Sequence, residues 1–367
     1  MEPFKNHFSY LKSQAIAEAV MRCYPAFDMD FFLNGLEREL EELELKQRVS
    51  LLAARLEASL PLPIPRLFTV CVAAVESGEG LRGFAVWPFT EVIAKLGGKH
   101  FPESMRALEE MTKRFTAEFA IRPFIREHRE KTFWQLHDWC SHPDEHVRRL
   151  VSEGSRPLLP WGGNLPELLE PPYPTLDLLE KLHRDPSPYV RLSVANHLND
   201  FSKHHADLVV EKLKAWAQAG EDDAAFQKLS RHACRTLLKE GHSGALALHG
   251  YGSPEQLEVA QISLGSYHIN LGESLSYSLK IQNRSSKNLK VMYDYAIHLR
   301  KANQSLNAKV FKGRKKTLKP GETWEIHGKH SFREVTTRVY HGGIQKIEPR
   351  VNGKLFPAVE FHLEIPT

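Results

Sequence analysis

The sequence predicts an α+β multidomain protein: an all-α HEAT-like repeat solenoid followed by an immunoglobulin-like antiparallel β-sandwich. Two observations predict this fold class. An internal repeat with helical patterning lies between residues 115 and 200, and short alternating strand patterns begin after residue 254. The change of pattern predicts two domains, residues 1–253 and 254–367.

The repeat consists of two matching segments. Residues 142–148 (HPDEHVR) match residues 185–191 (DPSPYVR) at an offset of 43 residues. Helix pairs that recur at roughly 40–47 residues are the signature of HEAT/armadillo solenoids. Each copy predicts a first helix, a proline-containing turn and a second helix that opens with Val-Arg. Such pairs cannot bury their apolar faces alone, so they stack into a curved array with a concave surface.

The second helix of the first copy, expected over residues 144–156, carries a polar face separate from its apolar one. Arg149, Glu153 and Arg156 follow one another at spacings of four and three residues, which places them on one side of a helix. A groove lined by arginines with isolated carboxylates suits a polyanion that carries one cationic feature. The alternative is a solvated face stabilised by ion pairs between neighbouring turns.

Two further carboxylates occupy comparable positions. Glu118 lies between Arg114 and Arg122 in a helix expected over residues 111–122. In the second copy of the repeat, Asn196 occupies the position that matches Glu153, and Asp200 lies one helical turn beyond it. These two side chains are therefore expected on the same groove.

Trp161 is expected in a loop, whereas Trp134 and Trp139 are expected in a helix. Trp134 and Trp139 fall inside the first helix of a repeat, and we expect both in the core. Trp161 instead lies between a proline-rich segment and a Gly-Gly pair, in a loop just beyond the helix that carries Glu153. An indole at the rim of a groove is available for stacking or for holding a cation.

The N-terminal hundred residues are also expected to be helical. Residues 37–60 are rich in helix formers and carry a broad apolar face. The prolines of residues 61–65 end this helix before another over residues 66–76.

The composition and the cysteine spacing favour a cytoplasmic location. No apolar run approaches the length of a membrane span, and the first residues lack the layout of a signal peptide. The four cysteines are widely spaced and form no C-x-x-C pair. This spacing argues against a zinc site or a disulfide framework and favours the reducing cytoplasm.

Short alternating runs replace the helical pattern after residue 254. They predict strands over residues 276–281, 291–297, 323–326, 337–340 and 359–363. Asn352-Gly353 is a strong hairpin signal. Six or seven such strands within about 110 residues fit an immunoglobulin-like sandwich.

Charge is distributed unevenly along the chain. From residue 258 onward there are 18 Lys and Arg against 9 Asp and Glu, whereas the whole chain has 49 and 45. Such a basic patch suits contact with a phosphate backbone, although a sandwich can also be basic only for solubility. The densest cluster contains Lys312, Arg314, Lys315 and Lys316.

Four distinctive sequence segments occur along the helical part. They are residues 84–88 (FAVWP), 116–124 (TAEFAIRPF), 139–161 and 193–200 (SVANHLND). With them, roughly residues 1–250 closely resemble bacterial AlkC-type DNA glycosylases, which belong to the HEAT-like superfamily shared with AlkD. The basic sandwich is similar to the immunoglobulin-like C-terminal extension carried by one branch of AlkC.

The resemblance implies a monofunctional DNA glycosylase that releases cationic alkylated bases, chiefly 3-methyladenine and also 3-methylcytosine, from duplex DNA. It implies an open cleft in which the base stays in a distorted duplex. We expect duplex DNA as the partner of a cytoplasmic monomer, with no cofactor, metal or membrane. The candidate catalytic residues are Glu118, Glu153, Asp200 and Trp161, and the candidate DNA-binding residues are Arg148, Arg149, Arg156, Arg191, Lys312, Arg314, Lys315 and Lys316.

Two other classes of protein stay open. One is a non-enzymatic helical-repeat adaptor that binds a protein partner on its concave face and uses the sandwich as a second docking module. The other is a DNA-binding member of the same superfamily that has lost its activity. An assay for base release separates both from the enzyme.

Overall fold

The protein is described by a computed structural model that covers residues 3–77, 80–171, 173–221, 223–335 and 338–365. Its contacts divide the chain into two compact units, Met1–His204 with Asp222–Ala233, and His205–Glu221 with Cys234–Thr367. The predicted order of a helical part followed by an antiparallel-rich β part is confirmed. The second unit also includes helices, so a functional boundary at residue 254 stays a prediction.

The helical part is built from helices of one to four turns. The α-helices are α1 Tyr10–Cys23, α2 Met29–Leu33, α3 Leu36–Glu41, α4 Leu45–Ser59, α5 Ile64–Glu76, α6 Trp87–Leu96, α7 Phe101–Thr112, α8 Arg122–Glu127, α9 Arg129–Trp139, α10 Glu145–Gly154, α11 Leu176–Leu182, α12 Pro188–Ser202, α13 Ala206–Trp216, α14 Ala224–Ala233, α15 Arg235–Glu240 and α16 Ser243–Leu248. Short 3-10 turns lie at Phe4–His7, Gly83–Val86, Gly97–Lys99, Pro166–Leu168 and Pro254–Gln256, and a π-helical turn lies at Ala217–Glu221.

The single helix predicted over residues 37–60 is two helices, α3 and α4. A new N-terminus forms at Glu44, whose backbone N–H donates to Gln47 Oε1 at 2.9 Å. The proline break that follows is confirmed, because α4 ends at Ser59 and α5 begins at Ile64. Among the residues described, no individual helix has both the length and the hydropathy to cross a bilayer; α4 and α5 reach that threshold only together and are bent by 119° at the break.

The 43-residue repeat is confirmed as two equivalent turns. Asp144 and Ser187 accept hydrogen bonds from backbone N–H groups at the starts of α10 and α12. Arg148 and Arg191 each donate to the carbonyl oxygens six and five residues earlier. Arg148 also forms two hydrogen bonds to Asp185, at 2.6 and 3.0 Å. The two arginines therefore stabilise the turn of each repeat, and DNA contact by either stays a prediction.

The helix predicted over residues 111–122 is wrong. Helix α7 ends at Thr112 and α8 begins at Arg122, so Glu118 lies in the connection between them. The Thr112 hydroxyl accepts from the N–H of residue 117 at 3.3 Å, and the Thr116 hydroxyl accepts from the Glu118 N–H at 3.2 Å. Threonine hydroxyls that take up backbone donors in this way compete with continuation of the helix.

Burial separates the two tryptophans of α9. Trp139 is 1% exposed, as predicted, and its indole N–H donates to Glu109 at 2.8 Å. The prediction for Trp134 is wrong, because this side chain is 74% exposed. The buried side of α9 follows Phe133, Leu136 and Trp139. Trp134 projects away from that side because consecutive helical residues are about 100° apart.

The β part contains two sheets whose facing residues form one buried cluster. One sheet has the order β1-β4-β2, with β7 also paired to β4, and the other has the order β3-β10-β8-β5-β6, with β9 also paired to β8. The strands are β1 Leu257–Val259, β2 Ser263–Leu264, β3 His268–Asn270, β4 Ser274–Asn283, β5 Leu289–Arg300, β6 Leu306–Leu318, β7 Thr323–Ser331, β8 Gly343–Val351, β9 Lys354–Leu355 and β10 Val359–Glu364.

Four of the five predicted strands lie within β4, β5, β7 and β10. The predicted strand over residues 337–340 begins outside the described residues, and residues 338–340 lie outside the strands. The Asn352-Gly353 hairpin is confirmed between β8 and β9, with both residues at positive φ. Strand β6 is not among the predicted strands, because its Lys-rich, largely exposed residues show no apolar alternation.

Candidate active site

Five charged side chains form a continuous row of alternating sign in the helical unit. The row begins at the connection after α7 and passes through α10 to α12. Arg149 donates to Glu118 and lies 3.4 Å from Glu153, measured from Nη2 to Oε1. Arg156 then joins Glu153 at 2.7 Å to Asp200 at 2.9 Å. The three candidate carboxylates are therefore brought together through two arginines.

Arg156 holds two of these carboxylates in place. Its side chain is buried, and its three nitrogens hydrogen-bond to Glu153 and Asp200. Burial by itself would lower the pKa of the guanidinium, but the hydrogen bonds and charges of Asp200 and Glu153 outweigh it and raise the pKa. Because Arg156 is enclosed and fully engaged, the geometry favours a positioning role over the predicted phosphate contact.

Arg149 occupies the centre of the row. Besides Glu118 and Glu153, it donates to the Thr116 hydroxyl at 2.9 Å. Its guanidinium carbon lies 5.1 Å from the ring centroid of Tyr189, a cation–π contact. Burial raises the pKa of the Tyr189 hydroxyl, so this tyrosine stays neutral and serves as a wall of the row.

The three carboxylates differ in how many of their oxygen atoms are occupied. Both oxygens of Asp200 bind Arg156, and both oxygens of Glu153 accept hydrogen bonds, from Arg156 and from the Ser193 hydroxyl at 2.6 Å. In Glu118, Oε2 accepts from Thr116 and Arg149. Its other oxygen, Oε1, accepts no hydrogen bond from any described residue. Glu118 is therefore the member of the row with an oxygen left for water or substrate.

Trp161 lies on a loop that other side chains hold in place. Its φ of 63° is the left-handed conformation, which a non-glycine residue adopts only when its surroundings enforce it. Lys46 donates to its carbonyl oxygen, and the ring of Phe4 packs edge-on against the indole at 5.8 Å between centroids. The side chain is nevertheless 52% exposed. The loop thus presents an ordered, accessible indole, as predicted.

Arg122 connects this loop to the carboxylate row. It is buried and donates to the carbonyl oxygens of Gly154 and Arg156, at 2.9 and 2.8 Å, and of Gly163 at 2.9 Å. Burial lowers the pKa of its guanidinium to about 10, so it stays charged at neutral pH. The sequence pattern places Arg122 on a groove face with Glu118 and gives no sign of this linking role, because the carbonyls that surround Arg122 come from 32, 34 and 41 residues later in the chain.

A buried histidine lies behind the row. His197 is 0% exposed, and its Nδ1 pairs with the Ser152 carbonyl oxygen at 2.9 Å. Its Nε2 has no hydrogen-bond partner within the described part of the chain. Burial lowers the pKa of His197 to about 3, and the charges of Arg156 and Arg122 act in the same direction.

We expect the lowered pKa of His197 to make the protein less stable in mild acid. Its pKa is lower in the folded state than in the unfolded chain, so the unfolded state binds the proton as pH falls below 6.5. From this group we expect the free energy of unfolding to fall by about 1.5 kcal/mol between pH 6.5 and 5. His330, whose pKa burial lowers to about 4, acts with the same sign in the β-sandwich. Denaturant titrations should therefore give a shallower pH dependence for His197→Asn than for wild type; identical pH dependence would contradict the assignment.

The predicted basic patch lies on β6, an edge strand that pairs with β5. A register shift at Tyr293/Asp294 places Lys312 and Lys315 opposite Asp294 and Met292, and Arg314 and Lys316 opposite Tyr293 and Val291. Because alternate residues of a strand point to opposite faces, the four cations form two pairs on two faces. Lys316 also forms an ion pair with Glu322 at 2.8 Å.

A cluster of metal-ligating residue types lies in the sandwich. The side chains of His268, His362 and Glu364 place one ligand atom each within 4.8 Å of one another. His268 and Glu364 are solvent-exposed and form a pair at 3.5 Å. The group lies at the edge of the sheet where β3 pairs with β10.

Comparison with known proteins gives full-length matches. The sequence is 37% identical over 345 residues, 94% of each chain, to the Uncharacterized protein YhaZ of Bacillus subtilis (strain 168). The structure matches the Pseudomonas fluorescens alkylpurine DNA glycosylase AlkC bound to DNA containing an abasic site analog, with a TM-score of 0.88 and 34% identity over 99% of this chain and 100% of that chain. Residues 258–365 match the family model of the C-terminal Ig-like domain of the uncharacterised protein YhaZ. The chain therefore belongs to the AlkC-type family of helical-repeat proteins that carry a C-terminal immunoglobulin-like domain.

Proposed function

We propose that this protein is a cytoplasmic DNA glycosylase that hydrolyses the N-glycosidic bond of cationic alkylated bases in duplex DNA and so initiates base excision repair. The substrates proposed are 3-methyladenine and 3-methylcytosine. The observation that carries the proposal is an accessible indole, Trp161, on a loop that Arg122 ties to a row of three carboxylates. The full-length similarity to AlkC supports the same activity.

The enzyme does not need to activate the leaving group of such a substrate. An N3-methylated base carries a positive charge, so the C1′–N bond breaks with its electron pair leaving on a base that becomes neutral. The sugar passes through an oxocarbenium-like state, which a nearby carboxylate stabilises. A water molecule then attacks C1′ and loses a proton, which yields an abasic site. Water is the nucleophile, so the reaction needs no lysine adduct.

The residues divide this work. Glu118 takes the proton of the attacking water through its unoccupied Oε1. Glu153 and Asp200 add negative charge nearby, and Arg149 and Arg156 hold the row at fixed spacing. Trp161 packs its π face against the cationic sugar or base. An exposed indole suits a base that remains in the duplex, in contrast to enzymes that flip the base into a pocket.

Base release provides the test. Duplexes carrying either N3-methylated adenine or 3-methylcytosine are incubated with excess protein, and the free base is measured by chromatography. We expect wild type to release the base and Glu118→Gln/Glu153→Gln to release none, while sodium borohydride traps no covalent complex. Binding to damaged duplex without release would identify an inactive DNA-binding member, and failure to bind any duplex would identify a protein-binding adaptor.

The immunoglobulin-like domain is proposed to add contacts with the DNA backbone. Its support is the cation excess of the sandwich and the exposure of β6. The cations of β6 form two pairs on opposite faces of the strand. A DNA duplex that lies against one face is therefore contacted mainly by one pair. The pair Lys312 and Lys315 is the better candidate, because neither lysine forms an ion pair with a described residue, whereas Lys316 of the other pair forms one with Glu322.

We expect Lys312→Gln/Lys315→Gln to weaken duplex binding and to flatten the dependence of log affinity on log salt by up to about 1.8, since each phosphate contact contributes about 0.9. Charge substitution is preferred to deletion of the domain because α15 and α16 belong to the same compact unit as the strands. Arg314→Gln/Lys316→Gln is the matched control with equal loss of charge. Equal, wild-type-like salt slopes for both variants would leave the sandwich as a partner-docking or stabilising module.

A further inference from the structure

We infer that Lys46 and Arg126 form a binding site for a DNA backbone phosphate beside Trp161. The inference rests on the proposed function and adds the residues that hold the strand next to the lesion. It places the phosphate contact on residues other than Arg149 and Arg156, the two arginines for which the family resemblance implied it.

The site borders a pocket of about 210 Å³ in the helical unit. Lys46 is the second residue of α4, and Arg126 lies in α8. Both side chains touch the loop that carries the indole: Lys46 donates to the Trp161 carbonyl oxygen, and Arg126 donates to the Asn164 carbonyl oxygen at 2.8 Å. Two cations from different helices thus contact the short loop that carries the accessible indole.

Both cations keep donors for a ligand. An ammonium group has three N–H donors and a guanidinium has five. The contacts within the described chain use one side-chain nitrogen of each residue, and both residues are exposed. Arg149 and Arg156, in contrast, direct their guanidinium groups at the carboxylates of the row. Lys46 and Arg126 are therefore the cations near Trp161 with capacity for an outside anion.

The charge of the pocket wall favours an anion. Three cations line it, Lys46, Arg122 and Arg126, against one carboxylate, Glu91. Burial raises the pKa of Glu91, while the charge of Lys46 opposes that shift. Arg122 is saturated by backbone carbonyls, so the two exposed cations supply the free hydrogen-bond donors. A phosphate with its spread of acceptor oxygens matches a lysine and an arginine that line the same pocket.

The salt dependence of binding tests this site apart from catalysis. The probe is a duplex containing a tetrahydrofuran abasic-site analog, titrated with full-length protein by fluorescence anisotropy between 50 and 200 mM salt, the range over which counterion release is pronounced. We expect Lys46→Gln and Arg126→Gln each to flatten the slope of log affinity against log salt by as much as about 0.9. Arg106→Gln is the matched control, since Arg106 is exposed and already faces Glu103 at 3.8 Å.

A neutral phosphate analogue identifies the partner. Single methylphosphonates are placed in turn at the phosphates around the abasic analog. One position should weaken binding by wild type, and its effect should vanish in Lys46→Gln/Arg126→Gln. Lys46→Arg keeps both the charge and the donor to Trp161, so it should retain the wild-type slope that Lys46→Gln loses. Thermal unfolding of each variant establishes that it is folded.

The outcomes separate this inference from the proposed function. Wild-type slopes in both single variants, or a methylphosphonate effect that persists in the double variant, would overturn the phosphate site even if the protein releases base. Altered slopes together with a protein that releases no base would support the site and overturn the glycosylase. A protein that binds no duplex would overturn both.

Discussion

Glu118→Gln is expected to reduce base release by about 100–1,000-fold, the range found when one charge-stabilising group is removed from an active site. The amide cannot accept the proton of the attacking water, and it removes the negative charge that stabilises the sugar cation. The amide remains able to accept hydrogen bonds from Thr116 and Arg149, so the fold is retained. We expect a loss of roughly 1–3 kcal/mol in the free energy of unfolding because Arg149 loses one ionic partner. Single-turnover kinetics on 3-methyladenine-containing duplex measure the effect.

Asp185→Asn is the matched control for this variant. Asp185 is likewise a buried carboxylate hydrogen-bonded to an arginine, Arg148, but it lies at the turn of the repeat. It should lose comparable stability and keep wild-type base release. A folded Glu118→Gln protein with wild-type kinetics would remove Glu118 from the site.

Glu153→Gln is expected to act in the same direction and to cost more stability. Both Glu153 oxygens are engaged within the fold, by Arg156 and Ser193. The substitution therefore also weakens the hold on Arg156 and, through it, on Asp200. Comparison of the two glutamine variants at equal folded fraction separates the chemical role of Glu118 from the positioning role of Glu153.

Trp161→Ala is expected to lower base release by well over tenfold with little change in thermal stability. An indole face over a desolvated cation contributes about 2 kcal/mol or more, and loss of that stabilisation in the transition state corresponds to a factor of about 30. The side chain is half exposed and packs against Phe4 at one edge, so its removal leaves no core cavity. Single-turnover rates and melting temperatures measured on the same preparation test both parts.

Trp134→Ala supplies the control for the loss of an exposed indole. Trp134 is 74% exposed on α9 and has no part in the row or the loop. It should leave both base release and melting temperature near wild type. A large drop in melting temperature for Trp161→Ala, comparable to that expected for the buried Trp139, would assign Trp161 a structural role instead.

The sequence by itself determined the architecture, because architecture follows from periodicity. The 43-residue repeat predicted equivalent helix pairs, and the capped turns at Asp144 and Ser187 bear this out. The alternating runs and Asn352-Gly353 predicted antiparallel strands and a hairpin. The setting of Trp161, between prolines and glycines, predicted an exposed indole. Each of these signals is local, so residues near one another in the chain suffice to read it.

The tertiary structure alone decided which charged groups are available. Spacing placed Arg149, Glu153 and Arg156 on one face, but it could not show that Asp200, 44 residues beyond Arg156, encloses that arginine. It also could not show that Thr112 and Thr116 end a helix before Glu118, or that Lys46 reaches a carbonyl 115 residues away. The availability of a charge depends on its burial and on partners brought from distant parts of the chain, and a one-dimensional pattern contains neither.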